Sequence, residues 1–142
     1  VDPYQIIEAK AYGADVILLI AAVLDRKEIE QFSILAQELG MEVLLEVHNQ
    51  EELYKSIMPS LNMIGVNNRN LKTFKVNLET SIMLSTLIPD EFVKISESGI
   101  RSVEDIKSLQ PYGYKGFLIG ENFMITENPG TAAADFIKLL NA

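Results

Sequence analysis

An α/β fold, with parallel strands alternating with helices, is what this sequence predicts, and three features predict it. Short runs rich in Val, Ile and Leu recur through the chain, amphipathic stretches of helical spacing lie between them, and glycines close several of those stretches. The runs fall at 16–20, 43–47, 63–66, 92–95 and 117–119; each is too short for a helix and reads as a buried strand. The helical stretches fall at 3–12, 25–39, 50–57, 78–87, 103–109 and 131–140. Near-continuous apolar strands in regular βα alternation imply a parallel sheet covered by helices, either doubly wound or closed into a barrel.

Boundary residues support the same division. Asp2 before Pro3 is a cap followed by a first-turn proline, and Gly13, Gly40 and Gly113 lie just past the last periodic residue of a helix. Strand centres are spaced by roughly 20 to 30 residues, the βα repeat of a (β/α)8 TIM barrel whose full form takes about 250 residues. Five such strands are present and eight close a barrel, so residues 1–142 read as one partial barrel domain, a helix followed by strands four to eight. The opening Val1-Asp2-Pro3, without an initiator methionine, is what a segment from within a longer protein would show.

With 142 residues and 48% hydrophobic content, the chain has the apolar mass for one globular core. A net charge of −8 without any Lys/Arg cluster argues against a nucleic-acid partner. The absence of cysteine excludes disulfides, zinc–thiolate sites and thiol catalysis, and fits a reducing, cytoplasmic setting. The longest apolar run, 16–24, is too short to cross a membrane, and no signal-peptide pattern opens the chain, so no membrane association is expected. One histidine and no cysteine make a transition-metal site a poor candidate. Met41, Met58, Met63, Met83 and Met124 read as core filler.

In parallel βα proteins ligands bind at the carboxyl ends of the strands, so the polar residues that end each run are informative. Glu46 ends the second run, where partial desolvation would lift a carboxyl toward a useful acid/base range; a solvated strand end is the plain alternative. Glu97 ends the fourth run and shares the argument, although the Ser98-Gly99 that follows also suits a simple turn. Gly99 and Gly120-Glu121 follow the last two runs, where phosphate-binding barrels offer backbone N–H groups to a phosphate dianion. After the third run comes Asn67-Asn68-Arg69-Asn70. Asn67 could orient a hydroxyl or Glu46, and Arg69 could clamp a carboxylate or phosphate, against the reading of an asparagine-rich turn with a surface arginine. His48, the only histidine, reads as a loop or helix-entry residue, and Lys94 falls by strand alternation on the face opposite Glu97.

Taken in order, Pro3-Tyr4-Gln5-Ile6, the stretches 13–20, 39–48 and 64–71, Ser96-Glu97-Ser98-Gly99-Ile100 and Leu118-Ile119-Gly120-Glu121 resemble the indole-3-glycerol-phosphate synthase family along essentially the whole chain. The resemblance implies a cofactor-free conversion of a small phosphorylated substrate. In that reaction 1-(2-carboxyphenylamino)-1-deoxyribulose 5-phosphate becomes indole-3-glycerol phosphate by ring closure and loss of CO2 and water. It further implies Glu46 as the acid/base carboxylate of the dehydration, Asn67 as an orienting residue and Arg69 as a hold on the anionic substrate or loop. Glu97 and Ser98 would line the pocket, with Gly99, Gly120 and Glu121 at the phosphate. Some family members have serine where Glu121 stands, so only its backbone N–H is carried over. By the same resemblance, the lysine that protonates the substrate carbonyl belongs to the third strand, upstream of Val1, and a second lysine and a glutamate belong to the first. Each missing acid/base group removes about 10² to 10⁴ in rate, so these residues alone are expected to be nearly inactive.

Two other readings stand beside this one. Another phosphate-binding barrel, such as phosphoribosylanthranilate isomerase, would need a catalytic cysteine that the chain lacks. A non-catalytic half-barrel would only associate with itself or with an N-terminal piece. Self-association is expected in either case. The strands at 16–20 and 117–119 would be open edges, and inward residues including Ile17, Leu19, Leu44 and Ile95 would be bared.

Overall fold

In the computed structural model, which describes residues 2–141, helix and strand alternate as far as the last strand, which two helices follow. They are α1 (Pro3–Ala11), β1 (Val16–Ile20), α2 (Arg26–Glu38), β2 (Glu42–Val47), α3 (Gln50–Ser56), β3 (Met63–Asn67), α4 (Glu79–Ser85), β4 (Val93–Glu97), α5 (Val103–Leu109), β5 (Tyr114–Leu118), α6 (Glu121–Met124) and α7 (Pro129–Leu140). Local chemistry sets most helix starts. Asp2, Asp25 and Ser102 close capping boxes with Gln5, Glu28 and Asp105, and Asn49 and Asn128 cap α3 and α7. The cap at Asn128 followed by Pro129 starts α7 earlier than its apolar periodicity suggests. Polar Ser96 and Glu97 lie inside β4, and Gly116 inside β5, so both strands are longer than their apolar runs.

All the strands are parallel and stand in chain order, β1-β2-β3-β4-β5, so every crossover joins neighbours. Parallel partners point to the same face, and the register therefore carries rows of side chains across the sheet. Ile20, Glu46, Gly65, Ile95 and Gly116 form one row; Asn67, Glu97 and Leu118 form the next, nearer the carboxyl ends. The alternate positions Leu19, Val43, Leu45, Val47, Ile64 and Val66 pack against Ile29, Phe32, Leu53, Leu84 and Leu109 of the helices in one core. Helices thus cover one face of the sheet only. That is the layering of a barrel wall and not of a doubly wound sheet, which is covered on both faces.

The register corrects one expectation. Ile17 and Leu19 pair with Val43 and Leu45 and face the helices, so they are not inward residues. The inward residues of β1 are Val16, Leu18 and Ile20, a choice that an all-apolar run cannot reveal by alternation. Leu44 and Ile95 are inward as expected. Met41 and Met58 belong to the core, but Met83 and Met124 are exposed on α4 and α6, so not every methionine is core filler.

β1 and β5 each have a neighbour on one side only, and the uncovered face exposes Val16, Leu18, Val93 and Leu118 at 41%, 46%, 39% and 48%. We propose that the 142-residue chain on its own pairs with a second copy through these edges and this face. Light scattering at micromolar concentration should give at least twice the 15.9 kDa chain mass. A stable monomer would overturn the proposal.

Candidate active site

Strand alternation brings Glu46 and Glu97 to the inner face, and the absence of a side chain at Gly65 lets them meet. Gly65 stands beside Glu46 in the row across β2 and β3, one row below Glu97. A Cβ built at Gly65 would meet Glu97 Oε1 at 1.9 Å, so the Glu97 carboxyl occupies the space over the glycine. Both carboxyls are buried, at 7% and 4% exposure, and Glu97 Oε1 finds no hydrogen-bond donor among the described residues. Burial, reinforced by the hydrogen bond to Glu46 and by its negative charge, pushes the Glu97 carboxyl from the ordinary 4.5 up to about 8. The two carboxyls are thereby suited to share one proton at neutral pH.

A cavity of about 430 Å³ opens from this pair. Glu46, Asn67, Arg69, Glu97, Ser98, Gly99, Gly120 and Glu121 all line it, together with Ile100 and Asn122. The N–H groups of Gly99, Ile100, Gly120 and Glu121 donate to no protein acceptor among the described residues, so one rim of the cavity carries free backbone donors. Ser98 and Gly99 both take left-handed φ, 67° and 78°. A Cβ on Gly99 would also lie 2.1 Å from Val76 Cγ1, so glycine is required there on both counts. Asn67 Oδ1 accepts from Arg69 N at 2.9 Å, which leaves its NH2 as the donor for a ligand. Arg69 is not free: its guanidinium pairs with the Glu121 carboxylate across the cavity mouth. The Glu121 side chain therefore stands at the cavity mouth, paired with Arg69.

His48 lies outside this lining but reaches Glu46. Its Nδ1 lies 3.1 Å from Glu52 Oε2 and its Nε2 lies 3.3 Å from Glu46 Oε1. The second contact falls short of hydrogen-bond geometry. His48 is the loop residue expected between β2 and α3, and its ring lies against Glu46. Alternation carries the inward side of Glu46 on to the residue two further along, which is the signal in the sequence that points to it. Asn68, only 2% exposed, is a second residue hidden by its asparagine-rich surroundings. Lys94 lies in the helix layer, donating to Ser85 O at 2.8 Å, as alternation predicts.

The sequence matches the family model of indole-3-glycerol phosphate synthase over residues 1–136. The chain belongs to the indole-3-glycerol phosphate synthase family. An indole-3-glycerol phosphate synthase of Bacteroides thetaiotaomicron is 46% identical, over 99% of this chain and 54% of its own length. That of Chromobacterium violaceum is 49% identical, over 93% of this chain and 50% of its own length. The chain spans about half the length of the curated relatives it matches. Among solved structures, 3-hexulose-6-phosphate synthase from Salmonella typhimurium superposes with a TM-score of 0.78 at 15% identity, over 97% of this chain and 67% of that one. A tryptophan synthase α-subunit of Pyrococcus furiosus gives 0.73 at 20% identity, over 99% of this chain and 60% of that one. At these identities the likeness concerns the fold alone.

In this chain the carboxyl pair has a measurable consequence. The folded state holds the Glu97 proton up to about pH 8, whereas the unfolded chain releases it near 4.5. Folded protein therefore binds more protons in that window, and its unfolding free energy falls as pH rises through it. The slope from one proton is at most about 1.4 kcal/mol per pH unit. Denaturant unfolding at several pH values should show it in the wild type and a flatter profile in Glu97→Gln. Identical slopes in both proteins would remove the raised carboxyl from the account.

Proposed function

We propose that this chain carries the dehydration and phosphate side of an indole-3-glycerol-phosphate synthase site, acting in tryptophan biosynthesis. The substrate would be 1-(2-carboxyphenylamino)-1-deoxyribulose 5-phosphate, and the products indole-3-glycerol phosphate, CO2 and water. What carries this reading is the meeting, in one cavity, of two buried carboxyls, the Glu97 one raised, with a rim of free backbone N–H groups. One protonated acid beside one carboxylate provides an acid and a base within the same site. In this reading Glu46 is the base that takes a ring proton, and Glu97, holding the shared proton, keeps Glu46 poised and lines the pocket with Ser98. Asn67 orients the substrate through its NH2 group, and Arg69 exchanges Glu121 for an anionic substrate group. The phosphate is held by the N–H groups of Gly99, Gly120 and Glu121.

No lysine lines this cavity among the described residues, so its walls supply no ammonium group to protonate the substrate ketone. The 142-residue chain alone is accordingly expected to turn over slowly, by about 10² to 10⁴ for each absent acid/base group. No helix among the described residues is long and apolar enough to cross a membrane. We place the enzyme in the cytoplasm.

Two measurements test the reading. Titration of the chain with inorganic phosphate should shift the amide NMR signals of Gly99, Ile100, Gly120 and Glu121 and leave those of α3 in place. A response centred elsewhere would count against the phosphate assignment. In a protein spanning the full length of the relatives, Glu46→Gln should lower kcat by about 10² to 10⁴ with KM within a few-fold. Near-normal kcat would demote Glu46 to a structural role.

A further inference from the structure

We propose that Asn68, which lines no part of the carboxyl cavity, is a positioning residue that holds the β4–α5 turn in the shape its ligand requires. The proposal rests on the reading of that turn as a phosphate site. Asn68 is almost fully buried behind β3, and every polar atom of its carboxamide is engaged. Its Nδ2 lies 3.0 Å from Ser96 Oγ, 3.0 Å from Glu97 O and 3.1 Å from Ser98 O. Its Oδ1 accepts from Ser81 N at 3.1 Å and from Ser81 Oγ at 2.9 Å. Ser81 Oγ and Ser96 Oγ are 2.8 Å apart.

Counting hydrogens fixes the direction of these bonds. Ser81 Oγ spends its single hydrogen on Asn68 Oδ1, so the Ser96 hydroxyl must donate to Ser81 Oγ. Ser96 Oγ then accepts one Asn68 N–H, and a closed ring runs from Asn68 to Ser96 to Ser81 and back. The other Asn68 N–H is shared between the carbonyls of Glu97 and Ser98. Tyr114 OH donates to Ser81 O at 2.7 Å, which ties β5 to the same ring. One side chain just past β3 thus joins α4, β4 and, through Ser81, β5.

The carbonyls it grips belong to the residues with the most demanding geometry in the site. Glu97 must point over Gly65, and Ser98 must take a left-handed φ that a side-chain-bearing residue adopts only when its surroundings impose it. Beyond Ser98 stand the free N–H groups of Gly99 and Ile100. The bond to Ser98 O is the one side-chain hydrogen bond among the described residues that holds this peptide. Releasing it lets the turn relax and turns the N–H groups away from the cavity.

The test uses inorganic phosphate and the 142-residue chain. Asn68→Asp keeps the acceptor for Ser81 and removes both N–H donors. It should weaken phosphate binding about ten-fold, the loss expected for a missing hydrogen bond, and move the Ser98 and Gly99 amide signals without ligand. Ser33→Ala serves as the control, since it breaks a half-buried hydroxyl pair with Ser60, 2.7 Å apart and remote from the cavity. It should lower the thermal midpoint and leave phosphate affinity unchanged. Replacing Ser98 with Gly in the Asn68→Asp background should restore part of the affinity, because glycine takes the left-handed φ unaided. Unmoved Ser98 and Gly99 signals in Asn68→Asp, or an equal loss of affinity in Ser33→Ala, would overturn the proposal. Absence of any phosphate response in the wild type would sink the phosphate reading, while the ligand-free signals would still decide the role of Asn68. Should Asn68→Asp fail to fold, Ser96→Ala, which opens the ring by one hydroxyl, is judged by the same outcomes.

Discussion

Glu97 lies over Gly65 and against Glu46, and much of the inner face is arranged so that this contact can form. The contact needs three conditions at once. The strands must be parallel and in register so that Glu46 and Gly65 are neighbours, the position between the acids must lack a side chain, and water must be kept from the pair. Taking two carboxylates out of water beside each other is unfavourable unless one is protonated. The fold meets that constraint at the mouth of the sheet by burial beside Glu46, which raises the Glu97 carboxyl and favours its protonated form.

The helix-covered face explains how such a site can be stable. Leu45, Val47, Ile64 and Val66 alternate with the inward residues of the same strands and are completely buried against the helices. Stability therefore resides on one side of each strand and chemistry on the other, and the two are coupled only through the backbone. Asn68 crosses that division. Its carboxamide lies on the helix side, yet the carbonyls it holds belong to residues of the site.

How far the sequence discloses this arrangement depends on the kind of signal each part leaves. The apolar runs mark every strand, and the polar residues that end them mark Glu46, Asn67 and Glu97, because the ligand end of a parallel strand is where apolar character stops. The inward set of β1 is not legible, since Val16 to Ile20 is apolar throughout and only pairing with β2 decides which side faces in. His48 leaves a weak trace, its spacing from Glu46. Asn68 leaves none: neighbouring asparagines disguise a buried, fully bonded amide as part of a polar turn. The Arg69–Glu121 pair joins residues far apart in sequence, and no local pattern announces it. The importance of Gly65 is likewise visible only once Glu97 is seen lying above it.

Site-resolved carbon NMR of the glutamate carboxyls across a pH titration tests the shared proton most directly. In the wild-type chain Glu97 should titrate near pH 8, with an inflection also reported by the Glu46 signal. In Glu46→Gln the Glu97 midpoint should fall while staying above the ordinary carboxyl range, because burial, the largest cause of its shift, persists. A Glu97 carboxyl that titrates near 4.5 and ignores the state of Glu46 would contradict the account.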